Sequence, residues 1–206
     1  QGASGFITPQ NNFLQKVKER CEKIGALLVF DEIQTCYGRL GTLFGFERYD
    51  VTPDILCIAK GMGAGMPIGA FIASWELMNL LTFNPKLGHI TTFGGHPVNC
   101  AASLSCLKYL LNSEIMNKVN DKKQLFLKHL QHPKIKEVRG NGLMLAIEFN
   151  DEILAQKVVE QSLENGLILF YFLFTKTAIR ITPPLTVSEE EIIKGCKIII
   201  DSLNKV

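Results

Sequence analysis

Two short apolar runs, each ending in charged side chains, restrict the fold of this chain more than any other feature. Ala26 to Phe30 leads into Asp31 and Glu32, and Ile55 to Ala59 leads into Lys60. Apolar runs of this length without alternation read as strands buried on both faces, the pattern of a sheet covered by helices. Ahead of the first run, Phe13, Leu14, Val17, Cys21 and Ile24 follow helical spacing; Asn11 and Asn12 are available to cap that helix and Gly25 to close it. A third run, Ile68 to Ala73, follows the second. Helix, strand, loop, strand and strand in this order predict part of an α/β sheet. In such sheets ligands gather beyond the carboxyl ends of the strands, where both Asp31 and Lys60 stand.

The second half has a different rhythm. Pro97 suits the first turn of a helix running to about Leu111, and a second amphipathic helix carries Met116, Val119, Phe126 and Leu130. From Ile135 the pattern predicts strands over 135–139 and 143–149, a helix over 151–165 closed by Asn165-Gly166, strands over 167–173 and 178–182, and a last helix. That helix opens with Ser188-Glu189-Glu190-Glu191, a capping box. A domain boundary is expected near residue 112, with residues 1–111 forming part of an α/β domain and residues 112–206 a small α+β domain.

Charge narrows the choice of partner. The 22 basic and 20 acidic side chains nearly cancel, and no run of like charge marks a nucleic-acid or membrane footprint, so a small-molecule partner is expected. The longest apolar stretch, Leu167 to Phe174, is too short to span a bilayer. Six cysteines are scattered without a CxxC pair, mostly among apolar neighbours, which fits reduced thiols and a cytoplasmic location. The chain begins with Gln1, and residues 1–9 read as a loop already in progress, so it is expected to be a piece of something longer.

An amine at the end of a buried strand is costly unless it is paired or its pKa falls, and a lowered pKa is what Schiff-base chemistry asks of an amine. Lys60 is therefore a candidate nucleophile, although a lysine there also reads as one that snorkels to water. Asp31, at a neighbouring strand end, suits a carboxylate that holds a pyridine nitrogen protonated, although Asp31-Glu32 taken alone reads more readily as a helix cap or surface turn. Gly61 to Pro67 lacks the sixth-position glycine of the dinucleotide fingerprint, and Lys60 precedes the glycines instead of following them as in a P-loop, so it fits neither. Arg180, embedded in the apolar strand Ala178 to Thr182, suits bidentate recognition of a carboxylate or a structural ion pair. His89, His96, His129 and His132 lack metal-ligand spacing, and no GxSxG or Cys-His signature is present, so no metal site is expected.

These segments together resemble the class III aminotransferases. Phe30-Asp31-Glu32-Ile33-Gln34-Thr35, Gly38-Arg39 and Gly41, Thr52-Pro53-Asp54-Ile55, and Ala59-Lys60-Gly61 with Pro67-Ile68-Gly69-Ala70 look like the family's central signature. Thr91 to Pro97, Arg139 to Met144 and Ile179 to Leu185 match three further segments in the right order. The resemblance covers essentially the whole chain. It implies the fold type I architecture of pyridoxal-phosphate-dependent transferases, with part of the large domain in residues 1–111 and the small C-terminal domain in residues 112–206.

The resemblance implies pyridoxal 5'-phosphate as cofactor, Lys60 as its Schiff-base lysine and proton carrier, and Asp31 as partner of the pyridine nitrogen. It further implies that Ile33 packs on a ring face, Gln34 bonds the phenolic oxygen, Thr92 reaches the phosphate of the neighbouring subunit in a homodimer, and Arg180 holds the substrate carboxylate. The reaction implied is transfer of an amino group from an amino acid or ω-amine, of the ornithine, acetylornithine or 4-aminobutyrate type, to a 2-oxo acid. Cys36, Leu40 and His96 depart from the family's usual glycine, threonine and asparagine. Ala3 stands where many ω-aminotransferases carry a glutamate that pairs with the carboxylate-binding arginine. Residues that cradle the phosphate in family members belong to an N-terminal part outside these 206 residues. Two alternatives stay open: an aminomutase or decarboxylating transaminase of the same fold, and a truncated α/β fragment without activity.

Overall fold

The computed structural model describes residues 1–206, and the chain divides into two compact units. One comprises Pro9–Gly38 and Thr42–Glu114; the other comprises Gln1–Thr8, Arg39–Gly41 and Ile115–Val206. This differs from a single cut near residue 112, because two short segments from early in the chain join the later unit. Phe6 and Leu40 explain why: both are buried in one apolar cluster with Met144, Ala146, Phe172 and Ala178.

The earlier unit opens with helix α1 (Phe13–Ile24), whose end is closed by Gly25 at φ 71°. The expected asparagine cap is not made, since Asn12 takes a left-handed conformation and its side chain accepts no hydrogen bond from the helix. Strands β1 (Val29–Asp31), β2 (Ile55–Ile58) and β3 (Ala70–Ala73) form a sheet in that order, β1 parallel and β3 antiparallel to β2. Two more helices follow, α2 (Trp75–Asn79) and α3 (Pro97–Leu111), the latter with Pro97 in its first turn. The reading of the first apolar run as buried on both faces is corrected. Leu28 is buried, but Leu27 and Val29 are 52% and 51% exposed, because β1 is the edge strand and β2 is its one neighbour in the sheet.

Asp54 ties α1 to the sheet. One carboxylate oxygen accepts the Leu28 N–H at 2.7 Å and the other accepts Lys18 Nζ at 2.9 Å. These contacts, the backbone hydrogen bond first, hold the Asp54 carboxyl below its ordinary pKa. A depressed carboxylate contributes stability above its unfolded value and loses it as the pH falls through the folded value. Asp54→Asn is expected to cost about 1 kcal/mol at neutral pH, with the difference from wild type shrinking as the pH falls through the folded pKa of Asp54. Urea unfolding of both proteins across an acid pH series checks this.

The later unit is a four-stranded antiparallel sheet backed by helices. Strands β4 (Glu137–Asn141), β5 (Met144–Glu148), β6 (Phe170–Tyr171) and β7 (Ala178–Ile181) lie in the order β4-β5-β7-β6. Strand alternation sends Leu145, Ile147, Ile179 and Ile181 into a core with Val119 and Phe126 of α4 (Val119–His129), Val158 of α5 (Glu152–Glu164), and Ile192, Ile199 and Leu203 of α6 (Glu189–Lys205). The capping box of α6 is present, with Ser188 and Glu191 bonding reciprocally. The strand expected over 167–173 shrinks to two residues. Leu167 N–H is used by Ser162 O at the end of α5, so the expected strand does not begin there. No helix of the protein is long and apolar enough to cross a membrane.

Candidate active site

Parallel pairing of β1 with β2 puts Val29 opposite Ile55, Phe30 opposite Leu56 and Asp31 opposite Cys57. Asp31 therefore ends its strand beside the strand that leads, three residues later, to Lys60. Past Asp31 the chain turns sharply: Ile33 N–H donates to Asp31 Oδ1 at 3.0 Å, while Thr35 and Cys36 N–H both donate to Glu32 O. The turn leaves Asp31 exposed, with its second carboxylate oxygen uncommitted, and Ile33 and Gln34 half-buried beside it.

Glu32 points the opposite way. It is 4% exposed, and its carboxylate accepts the Thr35 hydroxyl at 2.6 Å, Gly45 N–H at 2.7 Å and Phe46 N–H at 2.6 Å. Gly45 and Phe46 open the 3₁₀ turn Gly45–Arg48, so the buried charge meets two amides at a helical N-terminus. Adjacent residues of a strand face opposite sides, so the two neighbouring acids differ in surroundings: Glu32 anchors the 42–48 segment while Asp31 faces solvent.

Lys60 follows β2 after the extended residue Ala59 and begins the 3₁₀ turn Lys60–Gly63. Its φ of 48° places a lysine in the left-handed region, a conformation that costs about 1–3 kcal/mol in a non-glycine residue and is retained where the surroundings enforce it. Contacts fix the backbone on either side of it. Met62 N–H donates to Ala59 O at 3.1 Å, Cys36 Sγ lies 3.8 Å from the same oxygen, Cys106 Sγ lies 3.6 Å from Gly61 O, and Asn99 Nδ2 donates to Pro67 O at 2.7 Å. Burial pushes the Cys36 thiol up to about 11, so it stays protonated and able to donate. The Lys60 side chain is exposed.

Thr92 is also exposed, on the loop ahead of α3, and Arg180 lies on β7 of the other unit. Asp31, Ile33, Gln34 and Lys60 thus lie at or just past the adjacent carboxyl ends of β1 and β2. Glu32 and the two thiols were missed in the sequence, where nothing beyond the strand alternation that turns Glu32 away from Asp31 pointed to them.

Against known proteins, residues 1–203 match the family described as aminotransferase class-III. The chain belongs to the class III aminotransferases. A putrescine aminotransferase from Pectobacterium atrosepticum is 38% identical over 99% of this chain and 46% of its own length. An ornithine aminotransferase from Plasmodium yoelii superposes on the whole chain with a TM-score of 0.89 at 32% identity, the match covering 55% of that protein. An (S)-enantioselective ω-transaminase from Thermomicrobium roseum gives 0.90 at 32% identity, with 49% of its length covered. The chain spans about half the length of these relatives. The fold is that of the fold type I pyridoxal-phosphate enzymes. Class III aminotransferases use pyridoxal phosphate, and the residues present fit it: an exposed amine and a carboxylate with a free oxygen close neighbouring strand ends.

Proposed function

We propose that this chain is the part of an aminotransferase that carries the Schiff-base lysine, acting to move an amino group from an amino acid or ω-amine to a 2-oxo acid. The observation that carries the reading is the register of β1 against β2, which sets Asp31 and Lys60 at adjacent carboxyl ends. Relatives named for putrescine and ornithine support donors of the diamine and ornithine type, with acetylornithine and 4-aminobutyrate in the same class.

When bound, pyridoxal phosphate supplies an electron sink for the pair left on the substrate carbon after proton loss. Lys60 Nζ would hold the cofactor covalently and, when free, would take a proton from the substrate carbon and return it as general base and acid. Asp31, through its uncommitted oxygen, would keep the ring nitrogen protonated. Ile33 and Gln34 would hold the ring beside it, Thr92 would serve the phosphate in a homodimer, and Arg180 would receive the substrate carboxylate. A homodimer accords with the exposed apolar side chains Trp75, Leu80, Phe83, Leu87, Ile90 and Phe93, and a cytoplasmic location with six unpaired cysteines.

Absorption spectra of the chain and of its full-length parent with added pyridoxal phosphate, followed by borohydride reduction and peptide mass mapping, test the reading. A reduced adduct on Lys60 in the parent is the expected result. Its absence from both proteins would sink the cofactor assignment.

A further inference from the structure

The face of the β4-β5-β7-β6 sheet turned away from α4, α5 and α6 carries two arginines in one cross-strand row. Arg139 pairs with Ala146, Ala146 with Arg180, and Arg180 with Phe170. Their surroundings differ sharply. Arg139 is committed: it forms ion pairs with Glu148 at 2.7 Å and Glu137 at 2.8 Å, and its Nε donates to Gly5 O at 2.6 Å. Glu148 is further engaged by the Thr177 hydroxyl. The two carboxylates on this face are thereby spent on Arg139.

Arg180 has no ion pair, and its one protein hydrogen bond runs from Nε to Tyr171 O at 3.1 Å. Its guanidinium carbon instead sits 5.3 Å from the centroid of the Phe172 ring. Phe172 is 6% exposed and is braced edge-on by Phe6, with ring centroids 4.7 Å apart at 87°. An arginine that anchors structure finds an acid; this one is laid on an aromatic face with both terminal nitrogens open.

We infer that Phe172, backed by Phe6, is the positioning residue that aims Arg180 at a substrate carboxylate. The inference rests on the role proposed above for Arg180 and adds the device that makes the arginine selective. A guanidinium held over a ring loses little further rotamer freedom when its fork engages a carboxylate. The ring also removes water from one face of the cation while its negative face stabilises the charge. Compounds bearing a carboxylate gain from this arrangement, and amines without one do not.

The test follows the Arg180 Nε–H signal by nitrogen-15 NMR in the 206-residue chain, assigned by its loss in Arg180→Gln, during titration with glutarate. Three proteins are compared: wild type, Phe172→Leu, and a chain with pentafluorophenylalanine at position 172. The fluorinated ring keeps the shape and burial of phenylalanine but reverses its quadrupole, so it preserves packing where the leucine variant fails to fold. The expected result is a glutarate-dependent shift in wild type, with affinity about threefold to fivefold weaker in the fluorinated chain. A wild-type signal indifferent to glutarate overturns both the Arg180 assignment and this inference. A signal that moves with equal affinity in the wild-type and fluorinated chains leaves Arg180 as the carboxylate receptor and overturns the role of Phe172.

Discussion

Gly140→Ala is expected to destabilise the later unit by more than about 3 kcal/mol, enough to remove a large share of an ordinary domain's stability. Gly140 sits in β4 opposite Leu145 with φ at 118°, outside the region that side chains tolerate. A methyl group there would lie 2.1 Å from Met144 O and 3.1 Å from Leu145 Cα. Both are backbone atoms of the β4-β5 hairpin, so the clash cannot be relieved by a rotamer change. Gly166→Ala separates strain from collision: its φ is 83°, but an added Cβ meets nothing within 4 Å, and a cost of only about 1 kcal/mol is expected. Urea unfolding followed by circular dichroism would rank the two. Equal costs would show that backbone conformation alone, without the close approach of β5, makes position 140 a glycine.

Lys60→Ala in the full-length protein is expected to lower transamination by roughly 10³-fold or more, because the residue serves as both covalent tether and proton carrier. The borohydride-trapped adduct should disappear with it. Lys60→Gly should be equally inactive yet more stable than Lys60→Ala by about 1 kcal/mol, since glycine occupies a φ of 48° at no steric cost. That pair of variants separates what the lysine does from what its backbone endures. A substantial residual rate in either variant, measured with a saturating amino donor, would remove Lys60 from the proton-transfer role. Equal stability of the two would mean that the 60–63 turn is not strained.

Much of the element order was legible because it follows from local patterns. The helical spacing of Phe13 to Ile24 with Gly25 behind it, Pro97 at a first turn, and the Ser188 box each carry a local mechanism, and each stands where expected. Burial was less legible, since it depends on what lies beside a strand. The run containing Leu27 and Val29 has the composition of an interior strand and the exposure of an edge. The start of the 167–173 segment was misjudged because a competing acceptor, Ser162 O, captures the Leu167 N–H, and apolar content does not report such competition. Asp31 and Lys60 could be paired from their strand ends, whereas Glu32, Phe172 and the thiols near Lys60 act through neighbours far away in sequence.

The two clusters of buried apolar side chains have one further consequence. All their members, from Phe6 and Leu40 to Leu203, fall within residues 1–8, 39–41 and 115–206. Protection of a backbone amide from exchange with solvent tracks the free energy of opening the region that holds it. Amides of β5 and β7 should therefore take up deuterium only when their whole unit opens, while those of β1 to β3 escape through smaller, more frequent excursions. The strands that display Asp31 and Lys60 thus occupy the softer part of the chain, and a ligand bound there would register first as a slowing of deuterium uptake in residues 29–31 and 55–58.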